Sequence, residues 1–217
     1  EKLISNVREV SNRIAILMDT KGPEIRTTSL VNKEPIPLNI GDQIKVIGNP
    51  AMETCRECIY VSYPDFVKDL KLDGTILIDD GDLELRVVEK TDDYLLCEVQ
   101  NQAVLGNRKS VNVPGVRINL PSLTEKDRNN ILFAIESDID FIAHSFVRSK
   151  DDLVEIQTML DEAESPIKII SKIENQQGID NLDSILDHCY GVMIARGDLG
   201  VEIPAEKIPL IQKEIVD

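Results

Sequence analysis

The stretch from Ile167 to Ile203 constrains the fold of this chain most, because two short apolar runs in it flank a helical pattern. The first run follows Ile167, and the second extends from Val192 to Ala195. Between the runs, apolar residues recur at the spacing of one helix face, at Ile179, Leu182, Ile185, Leu186 and Cys189. Strand, helix and strand in this order predict a βαβ unit with parallel strands.

Charged residues stand at the end of both predicted strands. Lys172 and Glu174 are two positions apart, so an extended backbone points both side chains to the same face. Asp198 follows the neighbouring strand and supplies a second carboxylate at the same edge. Two such carboxylates suit Mg²⁺ or Mn²⁺, which take oxygen ligands and keep positions open for a substrate. The plainer interpretation is that these strand ends are merely solvated, but α/β folds place their sites at this edge.

Another polar strand end occurs near the start of the chain. The apolar run Ile14–Met18 predicts a buried parallel strand, and it leads directly into Asp19 and Thr20. The pair Gly22-Pro23 marks a turn, beyond which lies Arg26. By itself, this segment is equally compatible with a surface turn that carries solvated charges.

From about Thr28 to Gly115 the pattern changes to short alternating strands separated by turns. Strand segments are predicted in Leu38–Ile44 around Gly41-Asp42, Ile76–Ile78, Leu83–Val88 and Tyr94–Val99. Their alternation predicts burial of one face only, as in a small antiparallel barrel or sandwich, and Asp79-Asp80-Gly81 predicts a hairpin turn. An all-β module therefore interrupts the α/β pattern. Arg108 and Lys109 near its exit could reach phosphates from a hinge, although solvated basic loops are commoner.

The α/β pattern returns after Leu120. Thr124 with Asp127, and Ser149 with Asp152, have the form of capping boxes ahead of apolar helical repeats. Two helix starts are therefore predicted.

The two histidines are interpreted as structural residues. His144 follows the predicted strand Phe141–Ala143, where a lone histidine is more often hydrogen-bonded than catalytic, and His188 lies at a helix end.

The four cysteines do not predict a disulfide framework in a chain of 217 residues. Cys55 and Cys58 form a single C-x-x-C, which could be redox-active or half of a zinc site, but no second pair or nearby histidine completes it. Cys97 and Cys189 are expected to be ordinary core residues.

Composition excludes several classes of protein. The formal net charge of −15 argues against nucleic acid or an anionic membrane as a partner. No apolar run approaches the roughly 20 residues of a membrane span, and no signal peptide opens the sequence, so a cytoplasmic protein is expected.

Four predicted parallel strands carry polar residues at their carboxyl ends, which is half of a (β/α)₈ barrel. The sequence begins at Glu1 without Met and stops at Asp217 inside a helical pattern. We therefore expect a segment of a longer chain.

Several segments closely resemble motifs of the pyruvate kinase family, in the same order. They are MDTKGPEIR, LIDDG, the K-x-V-N-x-P-G exit of the module, SFVR, IISKIEN and ARGDLGVEIPAEK, of which the last two are highly specific. The similarity extends through essentially all 217 residues. It implies an α/β fold, a partial (β/α)₈ TIM barrel at 1–27 and 117–217, with an inserted small antiparallel β-barrel lid at 28–116.

The resemblance also implies an activity. It is phosphoryl transfer from phosphoenolpyruvate to ADP, giving pyruvate and ATP, with Mg²⁺ or Mn²⁺ and K⁺, as the last step of glycolysis. The family further implies a homotetramer.

Site residues follow from the resemblance position by position. Glu174 and Asp198 would hold the divalent metal, and Lys172 would stabilise the phosphoryl group during transfer. The substrate loop would comprise Ala195, Arg196, Gly197 and Asp198, with backbone N–H groups offered to the substrate carboxylate.

Further positions resemble the ion and nucleotide sites of the family. Asp19 and Thr20 resemble part of its K⁺ site, Arg26 a nucleotide-phosphate contact, and Lys109 the lid contact to ADP. Asp80 is a weaker candidate in the lid.

The family also has parts that this sequence lacks, including further barrel strands with substrate and K⁺ ligands and a C-terminal domain with an effector site. We therefore expect the segment alone to be inactive. One alternative is a metal-dependent barrel aldolase or lyase of pyruvate chemistry, which would have no use for a lid with Lys109. Another is a non-catalytic binding fragment, which metal and phosphoenolpyruvate binding would distinguish.

Overall fold

The computed structural model describes residues 2–216 and contains two compact units. One, the α/β unit, comprises the residues up to Pro23 together with those from Pro121 onward, and the other, the inserted unit, comprises Glu24–Leu120. These limits lie a few residues from those expected at 27/28 and 116/117. Ile25 and Arg26 belong to the inserted unit because they pair with Val111 and Ser110.

The helices and strands follow one another along residues 2–216. The α-helices are α1 (Lys2–Val10), α2 (Phe66–Asp69), α3 (Glu125–Glu136), α4 (Lys150–Glu162), α5 (Gln176–Asp180), α6 (Leu182–Leu186), α7 (Arg196–Glu202) and α8 (Ile208–Val216), with 3-10 turns at Val31–Lys33 and Ala205–Lys207. The strands of the α/β unit are β1 (Leu17–Asp19), β11 (Phe141–His144), β12 (Lys168–Ile173) and β13 (Gly191–Ile194). Those of the inserted unit are β2 (Ile25–Arg26), β3 (Ile36–Leu38), β4 (Gln43–Gly48), β5 (Cys58–Val61), β6 (Thr75–Ile78), β7 (Leu83–Lys90), β8 (Leu95–Val99), β9 (Ala103–Leu105) and β10 (Ser110–Asn112). None of the described helices has the length and apolarity to cross a bilayer.

The sheet of the α/β unit has four parallel strands in the order β1-β11-β12-β13. Asp19 lies opposite Ala143, His144 opposite Ser171, and Ile173 opposite Ile194. Parallel strands bring their carboxyl ends to one edge of a sheet, where α/β folds bind ligands. This order confirms the predicted half of a (β/α)₈ barrel.

Alternation along β12 separates a core side from a site side. Ile169, Ser171 and Ile173 are buried, and the two isoleucines join a hydrophobic cluster with side chains of α3 and α4. Neighbouring residues of a strand point to opposite faces, so Lys172 lies on the other side of the sheet. One short strand thus supplies both the core and the candidate site.

The helix starts agree with the predicted caps, with one difference. Thr124 and Asp127 form a complete capping box at α3. Ser149 caps α4 through the Asp151 N–H, but Asp152 accepts from Arg148 instead of closing the box. Asp152 thus accepts both the backbone N–H and the guanidinium of Arg148, the residue before the cap, and the guanidinium adds a charge-assisted contact.

Two elements differ from their predicted limits. The first strand is Leu17–Asp19 and not Ile14–Met18, because the Ile16 N–H donates to the Asp140 carboxylate ahead of the sheet. The predicted single helix after β12 is broken at Asn181, which ends α5 and begins α6.

The inserted unit has a seven-stranded sheet in the order β2-β10-β6-β7-β8-β4-β5 and a two-stranded β3-β9 ribbon. All pairs in it are antiparallel except β4 with β5. The predicted hairpin turn is confirmed, since Asp79, Asp80 and Gly81 all have positive φ between β6 and β7. The two strands on either side of Gly41-Asp42 have different partners, since β3 pairs with β9 and β4 pairs with β8.

Candidate active site

Lys172 lies at the centre of a charged cluster at the carboxyl edge of the parallel sheet. Its Nζ is 2.9 Å from Glu174 Oε1, 2.8 Å from Ser145 Oγ and 3.2 Å from Asp19 Oδ2. These partners come from the ends of β12, β11 and β1. The sheet therefore gathers one cation and two carboxylates from distant parts of the sequence.

Glu174 is held in a nearly closed environment. It is 2% exposed, and its Oε2 accepts the backbone N–H of Phe146 at 2.6 Å. Phe146 adopts a left-handed φ of +55°, an uncommon conformation for a bulky residue, just after β11. The backbone turn there helps to fix the orientation of the carboxylate.

Burial and neighbouring charges compete at this pair. Burial raises the pKa of Glu174, outweighing the lowering effects of Lys172 and the Phe146 N–H, and the charge of Asp198 raises it further. Burial alone would lower the pKa of Lys172, but the Glu174 and Asp19 carboxylates outweigh it and raise that pKa. Lys172 is therefore cationic at neutral pH.

The loop after β13 places Asp198 in the first turn of α7. Ala195 is the N-cap of that helix, and its N–H donates to the Ile173 carbonyl at 3.3 Å. The first helical bond runs from the Leu199 N–H to the Ala195 carbonyl, so the N–H groups of residues 196–198 precede it. Asp198 itself is exposed.

Asp19 and Thr20 point in different directions. Asp19 Oδ1 accepts from Ser145 Oγ at 2.9 Å on the site side. Thr20 is 2% exposed, and its hydroxyl lies 2.8 Å from His144 Nδ1 in the core. An oxygen that Thr20 offers to a site ligand would have to be its backbone carbonyl.

Gly22 allows the segment after β1 to lie directly against Ser145. It has φ +70°, and a Cβ built there would lie 2.3 Å from the Ser145 carbonyl oxygen. Only glycine fits both constraints without a shift of one of the backbones.

The predicted nucleotide contacts belong to the inserted unit and have partners within it. Arg26 pairs with Glu24 at 2.5 Å and donates to the Arg108 carbonyl at 3.0 Å. Lys109 Nζ lies 2.6 Å from Asp79 Oδ2. Asp79 is therefore the acidic partner of Lys109, whereas Asp80 accepts a hydrogen bond from the Ser110 hydroxyl.

Ser145, Phe146 and Asp79 were not selected from the sequence. Ser145 follows a predicted strand, so the strand-end rule that selected Glu174 would also have selected it. The Phe146 contact is made by a backbone N–H, which carries no signature in the residue type.

A divalent cation fits the chemistry of the Glu174 and Asp198 oxygens. Both donors are hard carboxylates, and a cation would relieve the repulsion from Asp198, which adds to the larger effect of burial in raising the pKa of Glu174. Among residues 2–216, no three His, Cys, Asp or Glu side chains form a metal-binding group. Any ion held by this pair would therefore keep further positions for water or substrate oxygens.

The fold and site define the class of interrupted α/β-barrel proteins, with a charged site at the carboxyl ends of parallel strands and a β insertion after the first. The family model described as pyruvate kinase, barrel domain, matches residues 1–217. The chain therefore belongs to the pyruvate kinase family.

Individual relatives agree with this assignment. A pyruvate kinase of Borreliella burgdorferi is 47% identical over 215 residues, covering 99% of this chain and 44% of the relative. One of Geobacillus stearothermophilus is 48% identical over 220 residues, covering 98% and 37%. The crystal structure of a pyruvate kinase from Cryptosporidium parvum matches with a TM-score of 0.89 and 41% identity, over 99% of this chain and 45% of that one. The chain thus spans less than half the length of these relatives.

Proposed function

We propose that this chain forms part of a pyruvate kinase, which transfers the phosphoryl group of phosphoenolpyruvate to ADP and gives pyruvate and ATP. The observation that carries the proposal is the position of Lys172 Nζ, between Glu174 and Asp19 at the carboxyl edge of the sheet. Phosphoryl transfer depends on positioning and charge neutralisation more than on a strong nucleophile. A fixed cation beside metal-binding carboxylates matches that demand.

Lys172 is assigned to the transferring phosphoryl group. Glu174, Asp19 and Ser145 hold its ammonium in place, so little reorganisation is needed when negative charge moves past it. Loss of one such preorganised donor typically costs about 3 kcal/mol in the transition state.

Glu174 and Asp198 are assigned to a divalent ion, Mg²⁺ or Mn²⁺. When bound, such an ion neutralises charge on phosphoryl oxygens. The protein contributes two carboxylates, one of them oriented by the Phe146 N–H. The raised pKa of Glu174 makes proton and metal competitors for the same oxygens.

The remaining roles concern binding. Ala195, Arg196, Gly197 and Asp198 form the substrate loop, whose first-turn N–H groups are suited to a carboxylate. Asp19 and the Thr20 carbonyl contribute to the K⁺ site. Arg26 and Lys109 in the inserted unit contact nucleotide phosphates after exchanging their present partners, Glu24 and Asp79.

The cellular setting follows from this reaction. Its substrates are phosphorylated metabolites and the four cysteines are free, which suits the cytoplasm. Assembly as a homotetramer is part of the same proposal. Neither the geometry nor the comparisons favour the metal-dependent aldolase or lyase alternative.

The test is a lactate-dehydrogenase-coupled assay of the full-length protein that carries this segment, with phosphoenolpyruvate, ADP, Mg²⁺ and K⁺. We expect turnover that Lys172→Met lowers by at least about a hundredfold. Lys168→Met is the matched control, because Lys168 starts the same strand in an exposed position. Absence of turnover in the unmodified protein would overturn the proposed function. Near-normal turnover of Lys172→Met would overturn the role of Lys172.

A further inference from the structure

Cys55 and Cys58 in the inserted unit face each other across a tight hairpin. The Cys55 N–H donates to the Cys58 carbonyl at 2.9 Å, and the Cys58 N–H donates to the Cys55 carbonyl at 3.3 Å. The two residues therefore form a hydrogen-bonded antiparallel pair, closed by Arg56 and Glu57. In such a pair the Cα atoms are about 5.5 Å apart, and both side chains lie on the same face.

This separation suits a disulfide. Disulfide-bonded cysteines have Cα atoms about 4.4–6.8 Å apart, so only a small movement of the side chains is needed. Both thiols are free in this structure.

The backbone on both sides of the hairpin is anchored. The Thr54 N–H donates to the Ser29 carbonyl at 2.8 Å, and Thr54 is fully buried. On the other side, Cys58 begins β5 and lies in register with Lys45 of β4. The fold therefore keeps the two thiols together.

The two thiols have different surroundings. Cys55 is partly exposed, whereas Cys58 is 7% exposed. Burial raises the pKa of Cys58 and outweighs the lowering effect of a hydrogen bond with Tyr60. The charge of Cys55 raises the pKa of Cys58 further. Cys55 is thus the thiol that a solvent-borne oxidant reaches first, while Cys58 remains a protonated neighbour.

Metal binding fits the site less well. Structural zinc sites use four ligands, and the described part of the chain holds no group of three or more His, Cys, Asp or Glu side chains in metal-binding positions.

From this geometry we propose that Cys55 and Cys58 are a modification site, a dithiol that hydroperoxides oxidise reversibly to an intramolecular disulfide. The Cys55 thiolate attacks a peroxide oxygen, the O–O bond breaks, and a sulfenic acid forms as water leaves. The Cys58 sulfur then attacks Cys55 Sγ, the S–S bond forms, and the sulfenic oxygen leaves as water with the Cys58 proton. In sum, two thiols and one hydrogen peroxide give one disulfide and two waters. A thiol reductant reverses the change by disulfide exchange.

The experiment uses the reduced 217-residue chain and hydrogen peroxide. After quenching, free thiols are alkylated in denaturant and peptides are identified by mass spectrometry. We expect loss of two of the four alkylatable thiols and a cross-linked peptide containing Cys55 and Cys58. Dithiothreitol should restore all four thiols. Cys97, which is fully buried, and Cys189 serve as internal controls that stay alkylatable.

Cysteine variants distinguish the oxidation of Cys55 from the attack of Cys58 that forms the disulfide. Cys58→Ser should abolish the cross-link and leave Cys55 as a sulfenic acid that dimedone traps, whereas Cys55→Ser should leave Cys58 unmodified. Cys189→Ser should form the cross-link as the unmodified chain does. Cys58→Ala provides a second variant at this buried position, with circular dichroism as the check of folding.

Other results would overturn the proposal. They are retention of four alkylatable thiols, a cross-link through Cys97 or Cys189, or oxidation of Cys58 at the normal rate in Cys55→Ser. Stoichiometric Zn²⁺ binding that blocks the cross-link would also replace the disulfide with a metal site.

Discussion

The ammonium of Lys172 lies 2.9 Å from Oε1 of Glu174, and only Ile173 separates the two residues in the sequence. Both side chains are largely withdrawn from water, at 14% and 1% exposure. Breaking a buried ion pair by removing one partner leaves an uncompensated charge. The pair therefore couples the candidate chemistry to the stability of the α/β unit.

Lys172→Met should destabilise the 217-residue chain by about 3 kcal/mol at pH 7, because Glu174 loses its cation. The pKa of Glu174 is already raised, and it should rise further in the variant. Protonated Glu174 needs no cation, so the loss of stability should shrink as the pH falls through that pKa. Urea unfolding at pH 7 and pH 5 measures this, with the exposed Lys168→Met as control. An equal loss at both pH values would contradict the explanation.

If Glu174 and Asp198 share one divalent ion, substitutions of either carboxylate should weaken metal binding to a similar extent. Glu174→Gln and Asp198→Asn should each weaken Mn²⁺ binding by at least about tenfold, since even residues that only orient metal ligands have effects of this size. Electron paramagnetic resonance of free Mn²⁺ measures the affinity. Asp180→Asn, which alters an exposed carboxylate on α5, should leave it unchanged. Independent effects at different Mn²⁺ sites would rule out a shared ion.

The 217-residue chain by itself should have no measurable pyruvate kinase activity. Within residues 2–216 the parallel sheet has four strands, whereas a complete barrel needs eight, and catalytic groups that act as a unit lose effect together. A coupled assay of the purified chain beside the full-length protein checks this. Turnover within tenfold of the full-length protein would refute the expectation.

The inserted unit should fold as an isolated polypeptide of residues 24–120. Its hydrophobic cluster is formed within those limits, with Leu85 and Ile76 fully buried. A single cooperative urea transition is expected. Leu85→Ala should lower the free energy of unfolding by about 3 kcal/mol, whereas Val104→Ala, at a position 65% exposed, should change it by less than about 1. A broad transition insensitive to Leu85→Ala would show that the unit needs the rest of the chain.

His144 should make the α/β unit sensitive to acid. Burial lowers its pKa from 6.5 to about 4. The charges of Asp152, Asp127 and Glu155 act to raise that pKa, and the charge of Arg148 acts to lower it. A depressed pKa gives stability that is complete above pH 6.5 and is lost as the pH falls towards 4, a total of about 3 kcal/mol.

The measurement is the difference in unfolding free energy between the unmodified chain and His144→Asn from pH 7 to pH 4.5. This difference should shrink with falling pH, because asparagine cannot gain the proton. A constant difference for His144→Asn would mean that His144 is not buried in its neutral form.

Local patterns were sufficient to predict the strand that carries Lys172 and leads into Glu174. Period-two alternation decides which side chains share a face, and parallel strands bring their ends together. The Thr124 cap was also predictable, because its hydrogen bonds lie within one helical turn. The partnership of Lys172 with Asp19 was not, since it spans 153 positions and depends on sheet order.

Two side chains have hydrogen-bond partners that the local pattern did not predict. Asp152 had the spacing for a capping box, but it binds Arg148. Thr20 stands beside Asp19 in the sequence, yet its hydroxyl turns to His144 because successive strand residues face opposite sides. Neither of these hydrogen-bond partners, Arg148 or His144, can be recognised from residue type alone.

The pairing of β1 with β11 joins Asp19 to Ala143 across the whole inserted unit, which has consequences for the order of folding. Closing so long a loop is costly in chain entropy. If the inserted unit folds first, its β2 and β10 strands bring residue 25 beside residue 111 and shorten the effective loop about threefold. By the logarithmic dependence of closure entropy on length, that lowers the cost by about 1 kcal/mol. Prior folding of the inserted unit would therefore make closure of the parallel sheet less costly, and nascent chains should form that sheet faster once the inserted unit is complete.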